Sequence, residues 1–577
     1  MKASEPRVST ASRVRGRRLL LAVLFGAAAL TPSAQAPPSF TVVEATVGAM
    51  RQAMAQGRTT SRELVQQSLT RIALYEDQLN AVIAVNRRAL EEADTRDRER
   101  AAGNIRGVLH GIPIALKDNI QTTDMPTTGG ALAFAGLRPP YEATVARNLR
   151  EAGAIIIAKT QMTELANFVT VGMPANYNSL TGYGMNPYDP RRDPRWMLDD
   201  GRPVLTPGGS SSGVGTAASF WAANVGTETS GSILSPANHN MLVGIKPTVG
   251  RLSRYGIIPI ASDQDTPGPM ARSVADAATL LGAMEGGSRD PNDTAAPACP
   301  PPPGHDYTRF LDAGALKGAR IGIPRAFFYD PVAAPGTGKA QGGLDAEERR
   351  AMDEAIATLI AQGAVVIDPA DIPSVVDTDP ARNFLLWDIC AGVKGASGKD
   401  TGCSIVLKYG MKRDFNRWLA SLGASAPLTS LTELRRWNLE HESAGTLKYG
   451  QENLDISDEV DLDADRTRYD ADRRKDVFLS AMHGIDEAMR LHRLDALLFP
   501  SLTGAAIAAR PGYPTVMVPF AMVPHSPVPP FPPGFDARPA PFGVSFSGVA
   551  CSEPRLIAFA YAFEQATRRR VAPALFP

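Results

Sequence analysis

Apolar and polar positions along the chain change period repeatedly, and the changes lay out alternating helix and strand. Thr60 and Glu63 match a helix capping box, and Leu64, Ser68, Leu69, Ile72 and Tyr75 follow at helical spacing. The run from Asp94 to Arg100 is charged almost throughout and reads as a solvated segment. Gly111 to Leu116 is nearly all apolar, which predicts a strand buried on both faces. Thr144 to Glu151 predicts a helix, Gly153 its stop, and Ala154 to Ala158 a second buried strand. Further on, Ser273 to Met284 reads as helix and Arg320 to Pro324 as strand. A helix from near Asp345 carries Ala351, Met352, Ala355, Ile356 and Leu359, stops at Gly363 and gives way to a strand at Ala364 to Ile367. Strands at Ala496 to Pro500, Val516 to Pro519 and Gly543 to Gly548 precede a closing helix that includes Ala560 to Thr567. Such alternation predicts an α/β fold.

Several stretches have no period. Residues 173 to 206, broken by Asn186-Pro187, Asp189-Pro190 and Asp193-Pro194, read as a long surface loop that could wall a substrate cleft. Residues 524 to 541 are too rich in proline for regular structure, and Ala295 to Pro303 resembles a linker. From 370 to 485 the chain is mostly helical and charged, clearest at Lys408 to Asp414 and Leu431 to Glu442. No internal repeat is present.

The candidate chemistry gathers in two Gly/Ser-rich loops, Gly208-Gly209-Ser210-Ser211-Ser212-Gly213 and Gly226-Thr227-Glu228-Thr229-Ser230-Gly231-Ser232, separated by a short apolar segment. Glycines at this density let backbone N–H groups approach a ligand, and the hydroxyls are candidate nucleophiles. None of the seven histidines forms a recognisable pair with an acid. Lys117, at the end of the apolar run, is the other candidate base, because an amine kept neutral by burial can take a hydroxyl proton.

The 208–213 loop, the Gly226-to-Ala237 segment with Lys246-Pro247-Thr248 beyond it, and the lysine of Ala115-Leu116-Lys117-Asp118-Asn119 together resemble the amidase signature family of serine hydrolases. The likeness runs from about residue 43 to the C-terminus and is weakest between 295 and 400. It implies an amidase signature fold: a large mixed β-sheet core covered by helices on both faces, with a mostly helical covering region. On that pattern the core is 40–290 and 486–577, and the covering region about 300–485. The resemblance also implies a mechanism in which one serine attacks, a second serine held by a cis peptide relays its proton, and a neutral lysine receives it. Carried over residue by residue, Ser232 is the nucleophile, Ser210 the relay and Lys117 the base, with backbone N–H groups of Thr229, Ser230, Gly231 and Ser232 as the oxyanion hole. Ser210 and Ser232 are 22 positions apart, slightly closer than is usual in the family, a difference assigned to a shortened turn around Ala222-Ala223-Asn224. Lys159 also resembles a recurrent family position, outside the triad, and reads as structural.

Gly209-Ser210-Ser211-Ser212-Gly213 also satisfies G-x-S-x-G, the nucleophile elbow, with Ser211 attacking in an esterase-like Ser-His-acid site. That motif should follow a strand directly, whereas Thr206-Pro207-Gly208 reads as loop. A P-loop fails because Val214 stands where its lysine is required, and no S-x-x-K occurs. Within the family, a tRNA-dependent amidotransferase component is a further alternative.

Composition narrows the setting. Lys+Arg and Asp+Glu both number 60, so no global field favours a nucleic-acid partner. Arg13 to Arg18, the apolar run Leu19 to Leu30 and Ser33-Ala34-Gln35-Ala36 form the parts of a secretory signal over 1–36, with Arg17-Arg18 leaving a twin-arginine route open. A periplasmic or secreted protein follows, with no stable membrane anchor after signal removal. Cys299, Cys390, Cys403 and Cys551 are compatible with disulfides, Cys390 and Cys403 being the closest pair, although some read as buried free thiols. The expected reaction is hydrolysis of a small-molecule amide, an aryl amide, peptide amide or carbamate, at a carbon–nitrogen bond other than a peptide bond. No cofactor and no metal are implied.

Overall fold

The structure is a computed structural model that describes residues 40–209, 213–287, 290–293, 299–392 and 398–577. The signal-like segment and Ser210, Ser211 and Ser212 lie outside the described residues.

Eleven strands form one mixed sheet. In chain order they are β1 (Val82–Val85), β2 (Pro113–Lys117), β3 (Ile155–Thr160), β4 (Ala223–Glu228), β5 (Val243–Lys246), β6 (Thr266–Ala271), β7 (Arg320–Gly322), β8 (Val365–Ile367), β9 (Ala496–Pro500), β10 (Thr515–Val523) and β11 (Ala540–Ser547). Their order across the sheet is β1-β3-β2-β4-β6-β5-β10-β11-β9-β7-β8. β2 runs parallel to both β3 and β4, with Leu116 opposite Val225. Ile114 and Leu116 enter the large core with Val225 and Val243. Ala115 enters a second core with Ile155, Ile157 and Trp221. A layer on each face explains why the β2 sequence is apolar throughout instead of alternating.

Helix ends follow the local chemistry. The Thr60–Glu63 capping box opens the helix Ser61–Leu79, and a second box, Asp345 with Glu348, opens Ala346–Ala361. The charged run at 94–100 is a helix after all, within Ala89–Ala101. Its buried residues are Ala89 and Ala93, too small an apolar stripe to read as helical in sequence.

The partition into core and covering region needs one correction. β7 and β8 come from the segment assigned to the covering region, yet they pair into the main sheet beside β9. The covering part is therefore the later helices, among them Val406–Ser421, Leu431–Glu440 and Glu452–Glu459, which close a separate apolar cluster over Phe134, Leu165 and Phe168.

The two aperiodic stretches are clasped together. Arg191 lies over the ring of Phe535 at 4.4 Å, Arg195 over Phe531 at 5.2 Å, and Arg195 Nη1 donates to Pro529 O at 2.8 Å. The cysteines also depart from expectation: none is a free thiol. Cys390 pairs with Cys403, and Cys299 pairs with Cys551 across a sequence separation of 252. Among the described residues no helix is long and apolar enough to cross a membrane, and no cluster of His, Cys, Asp and Glu could hold a metal ion.

Candidate active site

Lys117 is the last residue of β2, and its side chain is fully buried. Its Nζ lies 2.6 Å from Thr227 Oγ1 and 3.2 Å from Thr227 O, at the end of the neighbouring strand β4. Asn119 Nδ2 donates to the same hydroxyl at 3.0 Å. Burial brings the Lys117 ammonium down to about 7, against the opposing through-space pull of Asp265 and Glu228. Desolvation wins, so a neutral amine is well populated near neutrality.

Lys159 behaves differently. Its Nζ is 3.1 Å from Asp118 Oδ1, both groups are fully buried, and it also donates to Thr127 Oγ1 at 2.8 Å. Burial lowers the Lys159 ammonium from its ordinary value while the Asp118 carboxylate beside it pulls the other way. Lys246 donates to Tyr513 O at 2.6 Å, and Lys408 donates to Asn453 Oδ1 at 2.6 Å while lying over the Phe168 ring. Among these buried amines Lys117 is the one in contact with Thr227, at the head of the 229–232 loop.

That loop is shaped by its neighbours. Glu228, the last residue of β4, is buried, and its Oε2 accepts the N–H groups of Ile233 at 2.8 Å and Leu234 at 3.0 Å. A carboxylate there caps the short helix Leu234–His239, α1, which begins two residues after Ser232. Thr229 Oγ1 donates to Asp265 Oδ1 at 2.5 Å, and Gln264 Nε2 donates to Thr229 O at 3.1 Å. Asp265 itself accepts from Ile260 N and Ala261 N, and burial pushes its carboxyl up to about 6. Gly231 has φ +87°, a conformation that side-chain-bearing residues avoid. Among the described residues the N–H groups of Ser230, Gly231 and Ser232 donate to no protein atom. Ser230 is exposed and Ser232 half-buried.

The stem of the other loop lies against α1. A Cβ on Gly208 would stand 2.5 Å from Pro236 Cα, and one on Gly209 would stand 3.6 Å from Ser232 Cα. The two Gly/Ser loops are therefore in contact beside Ser232. The segment between them is one helical turn, Val214–Ala217, followed by a turn at 218–219 and bends at 220–222. Ala223 and Asn224 belong to strand β4, so the short connection falls before them instead of around Ala222-Ala223-Asn224.

A cavity of about 270 Å³ opens beside Lys117. Asn119, Thr227, Thr229 and Asp265 line it together with Tyr141 and Trp418. Ser232 is not among its lining residues, so the cavity meets the proposed base side of the site through Thr227.

Several of the histidines make contacts of their own. His441 stacks on Trp437, His483 lies between Asp377 and Glu487 at 2.7 Å from each, and His525 packs against Phe531. His239 Nδ1 faces Ser235 O at 2.8 Å on α1. Sequence reasoning missed Thr227, Glu228 and Asp265, all in or beside the second Gly/Ser loop. Thr227 and Glu228 close strand β4, where polar residues end a buried strand, whereas Asp265 precedes β6 and is brought to the loop by the pairing of β6 with β4.

Comparison with known proteins gives the family. The family model described as Amidase matches residues 63–557. The chain is 33% identical over 544 residues to a probable amidase of Arabidopsis thaliana, covering 93% of this chain and 92% of that protein. It is 35% identical to the native peptide amidase from Stenotrophomonas maltophilia, with TM-score 0.74 over 92% of this chain and 98% of that one. A glutamyl-tRNA(Gln) amidotransferase component of Salinispora arenicola is 37% identical over 318 residues, 55% of this chain and 58% of that protein. Matched by that family model over most of its length and similar to an amidase along nearly the whole of both chains, the chain belongs to the amidase family.

Proposed function

We propose that this amidase cleaves a carboxamide C–N bond through an acyl-enzyme on Ser232, with Lys117 as base and Ser210 as relay. The observation that carries the reading is Lys117: an amine brought to about 7 by burial, touching the strand that leads into the Ser232 loop. Ser210 hands its proton to Lys117 Nζ and takes the proton of Ser232 Oγ as that oxygen bonds to the amide carbon. The oxyanion receives N–H groups of the Thr229–Ser232 loop. The relayed proton returns to the leaving amine as the C–N bond breaks, and water then releases the acid from Ser232 by the same route.

Similarity along nearly the whole length of a peptide amidase supports terminal amides of peptides as the first substrates to assay. The relative from the amidotransferase class is matched over little more than half its length. For location, the signal-like 1–36 segment and two disulfides support export to an oxidising compartment. Fractionation of cells expressing the full chain, followed by thiol alkylation without reductant, tests this. Protein found in the cytoplasm with four free thiols overturns it.

The mechanism is tested with a serine-directed fluorophosphonate probe and peptide mapping of the adduct. We expect labelling of wild type at Ser232, no labelling of Ser232→Ala, and loss of amide hydrolysis in that variant. An adduct on Ser211, or hydrolysis surviving Ser232→Ala, overturns the assignment.

A further inference from the structure

Two buried asparagines connect the stem of the triple-serine loop to the helix behind Ser232. Asn240 Nδ2 donates to Pro207 O at 2.7 Å and to Pro236 O at 2.8 Å. Asn186 Nδ2 donates to Thr206 O at 2.8 Å and to His239 O at 2.9 Å. Each amide thus joins one carbonyl of the loop stem, Thr206 or Pro207, to one carbonyl of α1. A third bond lies beside them, from Gly209 N to Ser235 Oγ at 3.0 Å. The far end of the loop meets the same helix, since a Cβ on Gly213 would stand 3.2 Å from Pro236 O and 3.3 Å from Asn240 Nδ2.

The residue type follows from the task. All four partners are carbonyl oxygens, so the bridging group must offer two donors and carry no charge. A primary amide does this, whereas a carboxylate of the same shape would face two acceptors with no donor to offer. Both side chains are buried, where losing a partner is most costly. Asn186 is set in turn by Tyr188 N, which donates to its Oδ1 at 2.8 Å at the start of the clasped loop.

We propose that Asn186 and Asn240 are positioning residues that fix the spacing between the triple-serine loop and Ser232, and thereby the rate of acyl transfer. The proposal rests on the Ser232–Ser210–Lys117 reading. Neither amide touches the scissile bond; each acts through the backbone of the loop. Displacing a reacting group by about 1 Å costs on the order of 100-fold in rate, and this loss should appear in kcat with little change in KM.

The test uses the full-length enzyme with Asn240→Ala, Asn240→Asp, Asn186→Ala and Ser235→Ala. Steady-state kinetics and the fluorophosphonate labelling rate of Ser232 are measured for each variant that retains the wild-type circular dichroism. The asparagine variants should lose on the order of 10- to 100-fold in kcat and in labelling rate, with KM within about threefold of wild type. Ser235→Ala should show the same signature at about three- to tenfold. Folded asparagine variants with wild-type labelling rates, or with losses confined to KM, overturn the proposal. Should the asparagine variants fail to fold, Ser235→Ala decides, and an unchanged labelling rate counts against the clamp. Failure of the catalytic reading itself is distinguishable, because Ser232→Ala would then retain activity and no variant's labelling would map to Ser232.

Discussion

Lys117 Nζ and Thr227 Oγ1 stand 2.6 Å apart where two parallel strands end, one carrying the candidate base and the other leading into the candidate oxyanion loop. The contact joins what chain order separates by 110 residues. It also gives the amine a neutral partner, which is the condition for a lysine to act as a base. Since the ammonium titrates near 7, kcat/KM should rise with pH through that value and fall about tenfold per pH unit below it. A pH–rate profile on a peptide amide checks this. A flat profile from mildly acidic to mildly alkaline pH would remove lysine from the role.

The same burial has a cost in stability. The folded state holds Lys117 near 7, while an unfolded chain protonates it up to the ordinary lysine value. Between those two values the unfolded state binds the extra proton, so this group makes the fold more stable as pH rises. Lys117→Met should abolish activity and lose that slope. Its denaturation midpoint should exceed wild type at pH 7 by the equivalent of about 1 kcal/mol or more, and the gap should narrow toward pH 10. Paired urea titrations across that range measure it, and a gap that widens with pH contradicts the assignment.

Lys159 should respond in the opposite way. Breaking its buried pair with Asp118 by Lys159→Met leaves an uncompensated carboxylate, which typically costs about 3–5 kcal/mol. We expect a large drop in thermal midpoint. Any protein that remains folded should keep the pH–rate limb near 7, because the group that titrates there is elsewhere. A moved limb would place Lys159 in the proton path.

How much of this was legible in the chain depends on whether the governing contact is local. Capping boxes at Thr60 and Asp345 and the stop at Gly153 act within a few residues, and the helices they bound lie where the pattern places them. Lys117 was legible because burial of a strand shows in the run that leads up to it. The Cys299–Cys551 pair, the clasp between Arg195 and Phe531, and the amides of Asn186 and Asn240 are set by chain segments far apart in sequence, and no periodicity reports them. β7 and β8 were readable as strands but not as members of the main sheet, because pairing is a tertiary choice.

The long-range disulfide gives a further expectation. Cys299–Cys551 closes a loop of some 250 residues and ties the segment after the first half of the sheet to the start of the closing helix. Removing a native disulfide typically costs about 2–5 kcal/mol. Cys299→Ser/Cys551→Ser should therefore lower the thermal midpoint and leave kcat on the folded enzyme unchanged. Cys390–Cys403 spans 13 positions, and its removal should cost less. Differential scanning calorimetry of the two double variants ranks them, and the reverse order would show that native-state packing outweighs loop entropy here.

Glu228 provides the sharpest separation of cap from chemistry. Its Oε2 holds the N–H groups of Ile233 and Leu234, which otherwise would be free at the head of α1. Glu228→Ala removes that cap and should cost about 1 kcal/mol in stability, within the usual range for helix N-terminal acceptors. The kinetic loss should be far larger. Freed to turn, the 229–232 backbone no longer holds its donors on the oxyanion, and losing one such donor costs on the order of 100- to 1000-fold in kcat. Glu228→Gln retains one acceptor oxygen and should fall between wild type and Glu228→Ala in both measurements. If Glu228→Ala lost stability but kept kcat, the carboxylate would be a helix cap alone and the loop would be held by other contacts, Asp265 to Thr229 first among them.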